Sequence, residues 1–188
     1  MSKQIITLII LLLTFNQMKA QTDEQIINEL VFDLFGLHQD TILIENVKIK
    51  TYFEYDSVSF ERITGLTVPS KIISEWKNNE EPQNYSAGWN EQKLNKIDTL
   101  FTEKDTVISK NPFFICLTKG DINQLFEKTK KRQKIYSISK ILFDNSKENA
   151  IFHFIKTPWP GDFYFETILI KKIFGKWKII TRFDISMT

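Results

Sequence analysis

The sequence predicts an α+β fold: a twisted antiparallel sheet whose strongest part is a C-terminal meander over residues 135–186, with helices near 22–36, 70–80 and 120–132 packed on one side of it. Three observations lead there. Four runs rich in β-branched and aromatic residues follow one another closely at the C-terminus. Their connections are too short for parallel crossovers, so consecutive runs pair antiparallel. Upstream, three amphipathic stretches carry apolar residues at helical spacing.

The first helix is the clearest. In "TDEQIINELVFDLFGL", residues 22–37, Thr22 and Gln25 form a capping-box pattern, with Asp23 and Glu24 in the first turn near the positive end of the helix dipole. Ile26, Ile27, Leu30, Val31, Leu34 and Phe35 recur on one face, and Gly36 is a natural stop. Burying six such side chains is worth on the order of 10 kcal/mol before entropy, at about 1.5–3 kcal/mol each. This helix therefore has to dock, and a sheet is the expected partner.

Thr41 to Phe60, "TILIENVKIKTYFEYDSVSF", alternates apolar and polar residues and reads as two strands broken near Glu45-Asn46, or as one long bent strand. "VPSKIISEWKNNEE" is a short helix with Ser70 as its cap and Ile72, Ile73 and Trp76 as its buried stripe. The middle is the least decided part: "EPQNYSAGWN" is a turn-rich loop, "KIDTLFTEKDTVI" contains a strand, and "NPFFICLTK" suits a buried strand. "GDINQLFEKTKKRQK" is the third helix, with Asp121 as cap and Ile122, Leu125 and Phe126 inward. The four final runs are "KIYSISKILFD", "NAIFHFIKT", "DFYFETILIKKI" and "KWKIITRFDI". Ile151, His153 and Ile155 fall on one face of the second, Phe152 and Phe154 on the other. Both faces are partly apolar, which leaves one for helices and the other for a loop or a partner.

Residues 1–20, "MSKQIITLIILLLTFNQMKA", have the layout of a secretory signal peptide: Lys3, an uncharged apolar run from Ile5 to Phe15, and Ala20 before the expected cut. The run is about half of the roughly 20 residues that span a bilayer, so no membrane span is expected after cleavage. The expected organisation is a signal peptide at 1–20 and one α+β domain at 21–188, exported to the periplasm or beyond. The leader holds two of the 25 basic residues, Lys3 and Lys19, and no acid, so the rest is balanced against 23 Asp and Glu. That balance speaks against a nucleic-acid partner. The single cysteine, Cys116, allows no internal disulfide, and stability rests on a core fed by 16 Phe, four Trp and five Tyr.

The pattern "ISKILFDNSKENAIFHF", a glycine-containing turn, then "ETILIKKIFGKWKII" resembles a group of small uncharacterised secreted proteins of Gram-negative bacteria whose C-terminal β-meander ends in a KK-x-x-GKW-type hairpin. The matching positions are Ser139, Phe143, Ala150, Lys171, Lys172, Gly175, Lys176 and Trp177. The resemblance implies an α+β fold and a secreted location, and brings no activity. Members of the group carry Gly and Cys in the turn that here reads "PWPGD". This chain keeps Gly161 and has no cysteine there, so a role resting on cysteine does not carry over.

Candidate chemistry is sparse. His153 and Asp162 flank the PWPGD turn, and His38, Asp40 and Ser57 are the remaining members of any acid–base or nucleophilic set. No G-x-S-x-G elbow surrounds a serine. Two histidines and one cysteine, far apart, give no ligand spacing, so neither a metal nor a cofactor is expected. Cys116 in "FFICL" reads as a small buried hydrophobe. "KTKKRQK", Lys128 to Lys134, reads as a solvated helix C-terminus favoured by the dipole. The aromatics Tyr85, Trp89, Trp159, Phe163 and Tyr164 sit at loop positions and suggest a contact surface, with Trp159, Trp89 and Tyr85 at its centre. The expected function is a non-enzymatic module that binds a protein, peptide or envelope component. Two alternatives stand beside it: a hydrolase using His153 with a carboxylate, and a small-ligand carrier with a cavity between the first helix and the sheet.

Overall fold

A computed structural model describes residues 21–36, 39–80, 88–95 and 112–187. The expected signal peptide, His38, Tyr85 and the strand expected in "KIDTLFTEKDTVI" lie outside the described residues. The described elements are helices plus a mixed, open, twisted seven-stranded sheet with antiparallel C-terminal strands, the α+β class.

The chain begins with α1 (Asp23–Glu29) and α2 (Val31–Phe35), which meet at Leu30. The Thr22 capping box is present in both directions, and Gly36 closes α2 at a φ of 87°. After β1 (Thr41–Glu45) the backbone runs irregularly to Asp56, pairing in isolated bridges at Val47 and Ile49. There α3 (Ser57–Thr64) begins, capped by the Asp56 side chain. A strand through Phe60 was expected; the cap and the burial of Phe60 against Trp76 and Phe183 select a helix instead. α4 (Ser70–Asn78) follows, with Pro69 rather than Ser70 at the N-cap position. α5 (Glu91–Leu94) and β2 (Phe113–Leu117) lead to α6 (Lys119–Thr129). Thr118 caps α6 and Asp121 answers it from the third position, the reverse of the expected assignment.

The C-terminal part forms β3 (Gln133–Ile138), the short β4 (Leu142–Phe143), β5 (Asn149–Trp159), β6 (Tyr164–Ile173) and β7 (Lys176–Met187). Strand order is β2-β1-β3-β5-β6-β7, with β4 also beside β5. The expected meander is there: β5, β6 and β7 pair antiparallel in sequence, and β3 and β4 both pair with β5. The sheet is mixed because β1 runs parallel to both β2 and β3.

The helices do not share one side. Ala150, Phe152 and Phe154 of β5, with Ile168 and Ile170 of β6, face α1 and α2, where Ile26, Ile27, Leu30 and Phe35 complete one core. Ile151 and Leu169, one residue out of phase, face α3 and α4 through Phe60, Ile73 and Trp76. Period-two alternation puts apolar side chains on both faces of β5 and β6, so both faces have to be covered.

Candidate functional site

His153 points from the middle of β5 toward the second face, at the margin of the core beneath α3 and α4. It is 4% exposed. Nδ1 lies 3.1 Å from Thr167 Oγ1 on β6, directly opposite in register, and Nε2 accepts a long 3.5 Å bond from the Tyr52 amide. The Tyr52 and Phe165 rings lie 5.3 and 5.1 Å from the imidazole. Burial pushes its pKa down to about 4, against a weaker opposing pull from Asp184. An imidazole of that pKa is neutral and a weak base at physiological pH.

Asp162 is not brought to it. Thr167 is the residue across from His153, and Asp162 lies five residues further along, on the order of 15 Å of extended backbone away. The carboxylate whose charge reaches the imidazole is Asp184, which together with burial also raises the Tyr55 hydroxyl. Asp184 sits at a positive φ of 56° beside a register shift in the β6–β7 pairing, and sequence alternation alone does not single it out. Ser57, at the start of α3, accepts a hydrogen bond from the Ser70 hydroxyl at 3.3 Å. Cys116 packs against the first core, and burial, then the Glu91 and Glu24 charges, push its thiol up to about 12. Among the described residues no three His, Cys, Asp or Glu side chains are grouped to hold a metal ion.

The aromatics expected at the surface separate. Trp89 is 4% exposed, donates its indole N–H to the Ile138 carbonyl and carries the Lys48 ammonium 4.3 Å above its ring. It belongs to the core: its neighbour Gly88 bridges Val47, and its own amide donates to the Asn46 carbonyl at 2.8 Å. Trp159 ends β5 and is 38% exposed; Phe163, just before β6, is 41% exposed. Tyr164 donates to Glu166.

At this tip two separate sequence features meet. Register pairs Gln133 with Trp159 and Lys134 with Pro158, so the basic stretch lies alongside the PWPGD turn. α6 ends at Thr129, and Lys130 takes the left-handed cap, so most of the stretch is the α6–β3 link and the start of β3, not a helix end. Lys131, Arg132 and Lys134 are exposed. Gly161 has φ 156°, and a Cβ there would meet the Pro158 carbonyl at 2.9 Å and the Arg132 guanidinium at 3.3 Å. The bare glycine lets Arg132 lie against the turn.

The space under α1 and α2, which only the carrier alternative needs to be hollow, is filled by six side chains between 0 and 8% exposed. A recess of about 480 Å³ opens at its margin, between Gln21, Ile26, Phe143 and Trp177. A second, of about 360 Å³, lies between the C-terminus of α4 and the β4–β5 turn and shares Phe143 and Lys147 with the first. Among the described residues no helix is long and apolar enough to cross a membrane. Comparison with protein-family models, with curated proteins and with solved structures finds no match to this chain.

Proposed function

We propose that this protein is an exported, non-enzymatic binding module whose contact surface is the β5–β6 tip and the basic segment beside it, and whose partner is an acidic protein or peptide segment. One observation carries this reading: Trp159 and Phe163 stand exposed on a proline-stiffened turn with Arg132 packed against its glycine. Aromatic residues and arginine are the side chains most enriched where protein surfaces meet, and rim cations set partner choice and encounter rate. Lys131 and Lys134 supply that rim. The leader-like pattern of residues 1–20 is what supports the exported part of this reading.

The test is capture of envelope proteins on immobilised residues 21–188. Wild type retains a specific partner that Trp159→Ala and Arg132→Glu both release and that higher salt weakens. Both substitutions are at the surface and leave thermal unfolding unchanged. Retention that ignores both substitutions, or retention only of anionic lipid or polysaccharide, overturns the acidic-protein reading.

A further inference from the structure

We propose that the β6–β7 hairpin end of the sheet is a membrane-contacting surface: Phe174 inserts into the headgroup layer of an anionic lipid bilayer, and the lysines behind it hold the charged headgroups. β6 runs ten residues, on the order of 30 Å of extended backbone, from this hairpin to the β5–β6 tip. The inference is therefore independent of the contact surface proposed above.

The hairpin is built against its local preferences. Its loop is the two residues Phe174 and Gly175, at φ 50° and 78°, between the paired residues Ile173 and Lys176. Two positive φ values in a two-residue loop are best served by Asn-Gly or Gly-Gly. A bulky side chain in that region is strained, and Phe174 is in addition fully exposed. Full exposure means that the fold itself gains nothing from the ring. A strained, exposed aromatic points to a contact made outside the chain.

The charges behind it follow the same logic. Lys171 on β6 and Lys178 on β7 are directly opposite in register, and both are exposed. Like charges so placed repel, and among the described residues neither is in an ion pair. Lys147 stands exposed in the neighbouring β4–β5 turn, and Lys172 lies 5.8 Å over the Trp177 ring. Carboxylates are fewer. Glu29 accepts from the Trp177 amide at 2.6 Å and from Gln21 at 3.3 Å, Asp144 is buried within its turn, and Glu148 is exposed.

Charge alone suits an acidic protein as well as a bilayer, and two observations select the bilayer. A single ring on a protruding two-residue turn offers a folded partner little area, whereas an interfacial wedge needs only an apolar side chain with cations behind it. The other is where the chain enters. Gln21 accepts from the Trp177 indole at 2.9 Å, so the residues before it, with the apolar run Ile5–Phe15, join the fold at this same end. While that run is attached and in lipid, this end faces the bilayer. One aromatic and a few lysines give reversible, salt-sensitive binding, not permanent anchorage.

Sedimentation with vesicles tests this on residues 21–188, which hold every described element and lack the apolar run that would partition by itself. Vesicles of phosphatidylcholine with about one third phosphatidylglycerol are expected to bind the protein at least about tenfold more strongly than pure phosphatidylcholine, and high salt reverses the binding. Phe174→Asn puts a preferred residue in the turn, so thermal unfolding stays the same or moves up. Its partitioning falls by about fivefold or more. Lys171→Gln combined with Lys178→Gln removes the facing pair and lowers partitioning by about fivefold or more, again with no loss of stability. Trp159→Ala, at the far tip, binds vesicles like wild type. The proposal is overturned if pure phosphatidylcholine binds as well as the anionic mixture, if no vesicles bind, if the hairpin variants bind like wild type, or if Trp159→Ala releases the vesicles. It is equally overturned if Phe174→Asn releases a captured envelope protein while vesicles leave the chain unbound.

Discussion

At the scale of single residues, two buried titratable groups have consequences that a titration reads. His153 is held neutral with a pKa of about 4, below the ordinary value of 6.5, by burial. The unfolded chain takes up a proton as pH falls through 6.5 and the native state does not until pH falls toward 4. Stability attached to this residue is therefore intact above pH 6.5 and is lost between 6.5 and 4, by about 2 kcal/mol from pH 7 to 5. Urea unfolding of His153→Gln at pH 7, 6 and 5 is expected to show a fixed cost from the lost Thr167 contact but a shallower decline with acid. An equal decline in both proteins contradicts the assignment. Lys48 is the opposite case. Its ammonium lies 3.1 Å from Asp23 and 3.0 Å from Glu24, and it is 7% exposed. Removing one partner of such a group leaves uncompensated buried charge, so Lys48→Ala costs about 3–5 kcal/mol at neutral pH. The deficit shrinks as pH falls, because protonation then neutralises the two carboxylates that the lysine no longer balances. A deficit independent of pH would place the loss in the contact with Trp89 instead.

At the scale of elements, the β4–β5 turn is the piece most exposed to one substitution. Asp144 is 3% exposed, and four hydrogen bonds to it hold its pKa below the ordinary value although burial pushes the other way. Asp144→Ala leaves the Glu148 and Asn149 amides without that acceptor, at about 1–3 kcal/mol each where they stay dry. The expected cost is about 2–4 kcal/mol by chemical denaturation. A cost under about 0.5 kcal/mol would mean that water replaces the carboxylate. Elements of this kind differ in how far they can be read from sequence. β5 and β6 are legible because β-branched and aromatic residues run through both between turn residues, and α1–α2 because six apolar residues share a face above a capping box. α3 is not, because "SVSF" alternates like a strand and only Asp56, hydrogen-bonded to the Ser59 amide at 2.7 Å, marks the start of a helix. The parallel pairing of β1 with β2 and β3 is equally hidden: alternation says which side chains share a face, not which distant strand lies alongside. Trp159 is legible as a surface residue from its flanking prolines, while the recess draws its lining from residues 50, 79 and 140–147 and has no local signature.

At the scale of the molecule, the sheet separates two cores that share its strands. Adjacent residues of β5 serve opposite sides: Phe152 faces α1–α2 and Ile151 faces α3–α4. The strands bind the two cores into one unit, because neither helical layer retains its apolar partner if β5 and β6 part. Indoles report on each side separately, with Trp76 in the second core and Trp89 and Trp177 in the first. Ile26→Val trims the first core and Ile73→Val the second, each by one methyl, for about 0.5–1.5 kcal/mol apiece. The two side chains share no partner and lie on opposite faces, so their effects are expected to add to within about 0.5 kcal/mol in the double variant. Unfolding followed by fluorescence and by far-UV circular dichroism is expected to remain a single coincident transition in all four proteins. Non-coincident transitions, with Trp76 released before Trp89 and Trp177, would show instead that α3 and α4 melt from a sheet that stands without them.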